Sequence, residues 1–563
     1  MGTVEEDVED TAESTPVGRE LARLTAADGE FALREEIVGG VAMRVYVRGP
    51  HTLAEMIADS AAFADRPHSY YRDETTTYDR HLREVHALAH VLLTEYGLAP
   101  GDRFGIAMRN LPEWSVAFWA GQLAGLVVVP MNAWWTAGEL AWAVEDSGAR
   151  LVVGDRERTA ALAGRVEVPL VRVRGTGASP AREWTDVLAS VDPAVGPPSV
   201  AVGPDDPSTI LYTSGTTGRP KGAVHTHRNH VTNALNTLAL ARAGAAARGV
   251  VPSGPTGVLL TYPLFHIAGL NSLYGQVLGG GSLATLYRWD RVEARRLVRA
   301  HGLTGAAGVP TTLRELAEDA IAYPEELGTL TRFAMGGAPI PGDLVSRIGR
   351  ELGPYATNGY GLTETTAAVC ANVSMDFVAH PDSVGRPMPG ADLRFVDPSS
   401  GVDVPEGEIG ELWFRGPNVV GGYWRDPAAT AEAFVDGWFR TGDLGFRRAG
   451  WVHVVDRLKD VVIRGGENVY CAQVEAALHE VPWVREVAVY GVPHETLGEE
   501  VAAAVRPRPG EGRTPEAEEE LRTAVRERVA SFAAPTRIVW WDEELPKSPT
   551  GKVLKRALRS ETP

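Results

Sequence analysis

A chain of 563 residues is too long for one ordinary domain, and an apolar fraction of 44% provides for more than one large core. The formal net charge of −18 argues against a general nucleic-acid or anionic-membrane surface, because both partners are polyanions; a phosphate ligand would have to be held by local cations, backbone N–H groups or a metal ion. Two cysteines, Cys370 and Cys471, are too few and too far apart for a disulfide framework or a cysteine zinc site, which fits a reducing cytoplasm.

The chain opens on MGTVEEDVED, acidic and without the basic and apolar regions of a signal peptide, and its first dozen residues read as a disordered tail. Over about residues 50–400, helical patterns alternate with short β-branched runs: RFGIAM, PEWSVAFWAGQLAG, LVVVP, ELAWAVEDSG and RLVVG follow one another. This alternation predicts α/β architecture with largely parallel sheets. Residues 114–131 imitate a membrane span, but Gln122, Gly125 and Pro130 interrupt it. The spacing predicts a helix starting at Pro112–Glu113 and a buried strand over 126–129, so no transmembrane segment is expected. After about residue 385, VGRPMPGADLRFVDP, GEIGELWFRG and GWVHVVDRL predict a β-rich subdomain with tight turns. From about Asp460, VYCAQVEAALHEV reads as a helix, VREVAVYGVP as a strand and EEELRTAVRERV as a helix, which makes a small α+β domain. The expected division is 1–49 as acidic tail and N-terminal extension, 50–458 as the large domain and 459–563 as the small one.

Residues 208–222 read STILYTSGTTGRPKG. The front half predicts a strand over 209–212, and Thr213 to Gly222 then form a loop of hydroxyls and glycines that contains Lys221, with Pro220 stiffening the exit. Such a loop suits a polyphosphate: glycines let backbone N–H groups approach, Ser and Thr add donors, and Lys adds positive charge. No Gly-Lys-Ser/Thr ends it, so it is not a Walker A loop. It resembles instead the phosphate loop of the adenylate-forming superfamily, which includes acyl-CoA synthetases, 4-coumarate-CoA ligase-like enzymes, firefly-type luciferases and stand-alone adenylation domains.

Further motifs follow in that superfamily's order over roughly residues 50–560. TYPLFHIAGL (261–270) resembles the segment whose histidine, here His266, lines the acyl pocket, and MGGAPIP (335–341) resembles the loop against adenine and the acyl carboxylate. NGYGLTET (358–365) matches the signature in which the aromatic residue, here Tyr360, packs on adenine, Thr363 reaches phosphate and Glu364 holds magnesium. GWFRTGDLG (437–445) supplies Asp443 as the ribose-hydroxyl acceptor, DRLKD (456–460) the hinge at Lys459, and LPKSPTGKVLKR (545–556) the adenylation lysine, Lys552. The resemblance implies an ATP and AMP site made of Thr213, Ser214, Gly215, Thr216, Thr217, Gly218, Lys221, Gly337, Ala338, Pro339, Asn358, Gly359, Tyr360, Gly361, Thr363, Asp443 and Arg457. It implies an acyl pocket at His266, Ala268, Gly308, Met335 and Gly336. It also implies a mobile small domain that rotates between half-reactions and brings Gly465, Gly466 and Glu467 to a coenzyme A channel.

The chemistry agrees with these residue types. Attack of a carboxylate on the α-phosphate of ATP joins two anions, so the site has to supply positive charge. Mg2+ on Glu364, with Lys221, can neutralise the leaving pyrophosphate, and Lys552 can bridge carboxylate and α-phosphate. A carboxylate needs no general base. In the second step a thiolate attacks the acyl adenylate. Taken alone, Glu364 would be an ordinary solvated carboxylate, Lys552 part of a basic surface run with Lys547, Lys555 and Arg556, and His266 a core histidine; their places in the motifs raise them above that.

Two patterns mislead. His225, His227 and His230 in VHTHRNH lie close together, but no metal spacing fits and the segment is expected to lead straight from the phosphate loop into a helix. GGGSLA (279–284) fits a loose dinucleotide pattern but is followed by the strand-like LATLYR. The chain also departs from the superfamily near the thiol channel: Cys471 stands where many relatives have proline and Gln473 where an acid is common, while Glu475 keeps the second acidic position. Cys471 has no adjacent histidine base and reads as a small inert apolar residue.

PLFHIAGL carries no acid to pair with a substrate ammonium, which disfavours an α-amino acid. Ile267, Ala268, Leu270, Gly308, Val309 and Met335 are apolar and small to medium, which suggests a hydrophobic acid, either a medium or long acyl chain or a bulky ring acid. The expected activity is that of a cytoplasmic acid–CoA ligase that uses ATP, Mg2+ and coenzyme A. The alternatives are an adenylating enzyme with an amine, a carrier-protein thiol or oxygen as acceptor, and a non-catalytic nucleotide-binding relative. Nucleic acid is not an expected partner, and oligomeric state has no signature in the sequence.

Overall fold

The structure, a computed structural model, describes residues 11–175, 181–192, 194–213, 219–250, 254, 256–338, 340, 342–353, 356–547 and 553–561. The chain divides into two compact units. One comprises Met1–Leu393, Phe414–Phe439 and Ala449–Trp451, and the other Arg394–Trp413, Arg440–Arg448 and Val452–Pro563.

Among the described residues, the first unit carries two large sheets, one of seven strands and one of nine. In one, the spatial order is Gly222–Thr226, Pro207–Tyr212, Val127–Pro130, Arg103–Ala107, Ala149–Asp155, Leu170–Val173 and Arg182–Glu183, and only the first pair is antiparallel. In the other it is Arg386–Pro387, Ala367–Val373, Ala356–Leu362, Arg332–Gly336, Gly305–Gly308, Gly257–Leu260, Ser282–Thr285, Pro67–Tyr71 and Glu74–Thr77. The six strands from Ala356–Leu362 to Pro67–Tyr71 are parallel throughout. Short β-branched runs joined by amphipathic or buried helices give this arrangement, because a parallel crossover needs a helix to return the chain.

The membrane-like stretch is the helix Pro112–Leu123 followed by the buried strand Val127–Pro130. Trp114, Phe118 and Trp119 are fully buried, so apolar residues all round this helix reflect packing on every side. Gly121 permits the close approach: a Cβ there would stand 2.5 Å from Val128 Cγ2. Among the described residues no helix is long and apolar enough to cross a membrane.

At the N-terminus, residues 1–10 of the expected tail lie outside the described residues. Ala12 is already buried, its N–H donating to Ala449 O at 3.0 Å. The extension continues as the helix Pro16–Thr25, capped by Thr15, and the hairpin of Leu33–Val38 with Val41–Tyr46.

The VHTHRNH segment corrects one expectation. It does not pass directly into a helix: the strand Gly222–Thr226 intervenes, and the helix His227–Ala246 starts after it. Its three histidines are core hydrogen-bonding groups. His227 Nδ1 accepts from Leu53 N at 3.1 Å, and His230 bonds Thr209 Oγ1 at 2.9 Å and Tyr274 Oη at 3.0 Å.

In the second unit, the strand order is Glu467–Val469, Val462–Arg464, Gly498–Pro507 and Val484–His494, with Arg537–Trp540 also pairing Gly498–Pro507. The helices Cys471–His479 and Pro515–Arg528 share a core with this sheet through Val474, Leu478, Val489, Val505, Leu521 and Val525.

Burial lowers the pKa of His68 to about 3 and those of His225 and His227 to about 4. The unfolded chain takes up these protons near pH 6.5, so it binds more protons than the folded chain between that pH and about 4. Stability is therefore full above about pH 6.5 and is lost as pH falls through this window. Scanning calorimetry from pH 7 to pH 5 should show a falling midpoint. His227→Asn, whose side-chain carbonyl can still accept from Leu53, should make that fall shallower.

Candidate active site

The hydroxyl- and glycine-rich loop connects two antiparallel strands, with Tyr212 in register with Gly222. Thr213 N donates to Lys221 O at 2.8 Å and closes the neck of the loop. Its tip, Ser214, Gly215, Thr216, Thr217 and Gly218, lies outside the described residues. The neck is anchored on both flanks. Tyr212 Oη donates to Asp146 Oδ2 at 2.5 Å, and residues 422–424 pair with the returning strand through Trp424 N to Gly222 O (2.7 Å) and Val224 N to Gly422 O (3.1 Å).

Between those two backbone bonds stands Tyr423. Its hydroxyl donates to Glu364 Oε1 at 2.7 Å, and Lys221 Nζ lies over its ring at 5.1 Å from the centroid. Burial, and then the Glu364 carboxylate, push the Tyr423 pKa up, so it stays a donor. Glu364 is buried in the single 3-10 turn Thr363–Thr365 that follows the strand Ala356–Leu362. That turn is pinned by His225 Nε2 to Thr363 O (2.8 Å), Val420 N to Glu364 O (2.9 Å) and Asn418 Nδ2 to Thr365 O (3.1 Å). Lys221 and Glu364, distant in sequence, thus meet at one side chain.

Neighbouring parallel strands of the nine-stranded sheet end side by side at Leu260, Gly308 and Gly336, with Gly336 in register with Gly359 and Gly308 with Met335. The carboxyl ends of parallel strands are where such sheets bind ligands. The glycines are dictated by crowding: a Cβ at Gly308 would stand 1.8 Å from Thr261 Oγ1, and one at Gly361 1.8 Å from Ala367 O. Gly337, at φ +80°, turns the chain into Ala338, and Pro339 lies outside the described residues. Asn358 and Tyr360 are partly exposed on the next strand, where the Tyr360 ring centroid is 6.3 Å from that of Phe414.

His266 caps the helix Ile267–Gly279, its Nδ1 accepting from Ala268 N at 3.3 Å, and burial lowers its pKa to about 4, so the ring is neutral at pH 7. Ala268 and Val309 are partly exposed, whereas Ile267, Leu270 and Met335 are buried in the cores. Asn110 escaped notice in the sequence. Its Nδ2 donates to Tyr262 O and its Oδ1 accepts from Leu264 N, both at 2.8 Å, and Tyr262 Oη in turn donates to Gly336 O at 3.1 Å.

In the second unit, Asp443 and Arg457 come together, Arg457 Nε lying 3.3 Å from Asp443 Oδ1. Asp443 sits beside Gly442, at φ +69°, whose N–H donates to Glu411 Oε1 at 3.0 Å. Lys459 is exposed in the turn after Trp451–Arg457. Gly465 and Gly466, at φ +61° and +89°, form the two-residue turn that carries the chain to Glu467, and two successive positive φ values favour glycine at both. Cys471 is buried, its thiol donating to Asp460 O at 3.0 Å, and burial raises its pKa, which fits an inert residue. Glu475 is partly buried, where Oε1 accepts from Val489 N at 2.8 Å and pairs with Lys555 Nζ at 2.9 Å. Lys547 pairs with Glu486 at 2.6 Å. Two members of the basic run are therefore committed to partly buried ion pairs, while Lys552 itself lies outside the described residues.

The Glu364 carboxylate, with Lys221 nearby on the same tyrosine, is a hard-oxygen donor, which fits Mg2+ completed by phosphate and water. Among the described residues no group of three or more His, Cys, Asp or Glu could hold a metal unaided, so such an ion would share Glu364 with a bound phosphate.

Residues 57–424 match the family model of the AMP-binding enzyme, and residues 473–552 that of the AMP-binding enzyme C-terminal domain. The chain belongs to the adenylate-forming, AMP-binding enzyme family. This family member is 36% identical over 488 residues to a feruloyl-CoA synthase of Amycolatopsis sp, covering 86% of this chain and 93% of that one. The ATP-bound MatB structure from Rhodopseudomonas palustris superposes with a TM-score of 0.80 at 30% identity, covering 91% of this chain and 99% of that one. The amide bond synthetase McbA from Marinactinospora thermotolerans gives 0.79 at 28% identity, covering 90% and 99%.

Lys555→Met strands the half-buried Glu475 carboxylate and should destabilise the second unit by about 2 kcal/mol. Adding Glu475→Gln should restore part of that loss. Limited proteolysis of residues 452–563 reads both effects.

Proposed function

We propose that the chain activates a hydrophobic carboxylic acid with ATP, releasing pyrophosphate, and passes the acyl group from the adenylate to coenzyme A. The observation that carries this reading is the convergence of Lys221 and Glu364 on Tyr423 at the neck of the phosphate loop. An acid oxygen forms a bond to the α-phosphorus of ATP as the bond to pyrophosphate breaks. Lys221 offsets charge on the departing oxygens, and Lys552 bridges the carboxylate and the α-phosphate. When bound, Mg2+ supplies further charge neutralisation at the phosphates, and Glu364 would hold it. The neutral His266 ring borders the acid without adding charge. Asp443 accepts from the ribose hydroxyls, and Tyr360 packs on adenine.

The absence of an acidic residue in PLFHIAGL supports an acid without an α-ammonium. Similarity to a feruloyl-CoA synthase supports coenzyme A as acceptor and a ring acid or acyl chain as donor. Similarity to an amide bond synthetase keeps an amine acceptor as the competing outcome.

Purified protein is incubated with ATP, Mg2+ and a panel of fatty and aryl acids, with coenzyme A or an amine, and the products are read by mass spectrometry. An acyl-CoA is the expected product. An amide, or an adenylate without thioester, would move the assignment to another acceptor. Lys552→Ala should lower acid-dependent pyrophosphate exchange at least about a hundredfold while leaving ATP affinity within a few fold, since it acts on charge that develops in the transition state.

A further inference from the structure

Tyr423 lies in GGYWRD, outside every motif that pointed to the site, yet it touches both charged groups of the phosphate end. It uses different parts of one side chain: the hydroxyl for Glu364 Oε1 at 2.7 Å, and the ring face for Lys221 Nζ at 5.1 Å. The ring itself is not free to swing. Backbone bonds from both neighbours tie residues 422 and 424 to Gly222–Val224, Tyr423 N donates to Thr430 Oγ1 at 2.9 Å, and Phe434 packs edge-on at 5.8 Å.

We propose that Tyr423 is a positioning residue that seats Lys221 and Glu364 separately, so that each keeps its charge for the bound nucleotide and metal. Adjacent opposite charges would otherwise neutralise each other directly, which wastes both. A ring face and a phenol hydroxyl satisfy the two groups without cancelling either charge. This inference rests on the ATP-dependent reading above and adds to it a residue that touches neither acid nor acceptor.

The test is calorimetric titration of the full-length chain with ATP, without acid, across a range of Mg2+ concentrations, alongside steady-state kinetics. Tyr423→Phe keeps the ring and removes only the hydroxyl. It should weaken the Mg2+-dependent part of ATP affinity about tenfold, as expected for losing a hydrogen bond to a charged group, and leave Mg2+-free affinity unchanged. KM for ATP should rise more than kcat falls. In a Glu364→Gln background the same change should have little further effect. Tyr423→Leu should also weaken Mg2+-free affinity, because the ammonium loses its seat.

Wild-type metal dependence in Tyr423→Phe, equal weakening with and without Mg2+, or additivity with Glu364→Gln would each overturn the proposal. Failure of the wild-type chain to bind ATP at all would overturn the ATP reading as well. Matching thermal midpoints for wild type and Tyr423→Phe exclude misfolding, and if Tyr423→Leu fails to fold, Tyr423→Phe alone decides.

Discussion

Gly222–Thr226 is hydrogen-bonded on one side to Pro207–Tyr212 and on the other to residues 422–424, and this double pairing sets where Lys221 stands. A strand bonded on both edges cannot slide without breaking two ladders at once, and a slip of one residue would turn every side chain to the opposite face. Lys221 is the residue just before the strand, so its backbone inherits that rigidity. His225, four residues on, sends its ring to the Thr363 carbonyl and fixes the turn that presents Glu364. One short strand therefore positions both the cation and the carboxylate.

The α/β alternation and the buried helix and strand over 112–130 were legible from periodicity and turn residues. Short motifs also made Lys221 and Glu364 legible as candidates, and the fold brings both to Tyr423. Tyr423 and Asn110 were not legible. Each acts through contacts with residues far away in sequence, and neither lies in a pattern that announces a ligand. The strand after the phosphate loop was missed for a related reason: GAVHT is short and runs into a helix-forming sequence, and only its pairing partners make it a strand. Glu475 was legible as an acid kept in place, but its partner Lys555 looked like part of a surface run until the fold brought the two together.

The second unit shows why charge in sequence is a poor guide to charge in space. Of the basic residues near its C-terminus, Lys547 and Lys555 are consumed by Glu486 and Glu475. A half-buried ion pair contributes little net stability, but removing one partner leaves the other's charge poorly solvated, so folding already constrains these lysines. Gly465 and Gly466 are constrained in the same way by backbone conformation, whatever else passes near them.

The Asn110 amide has a mechanical meaning. It reaches from the end of Arg103–Ala107, in one sheet, and holds Tyr262 and Leu264, at the end of Gly257–Leu260 in the other, using its donor and its acceptor together. Two bonds from one planar group to neighbouring points on a chain resist shear in both directions along that chain. The segment leading to His266 is thereby bolted to the opposite sheet. Trimming side chains along that segment would therefore leave its backbone where it is. Moving that backbone would mean loosening the bolt.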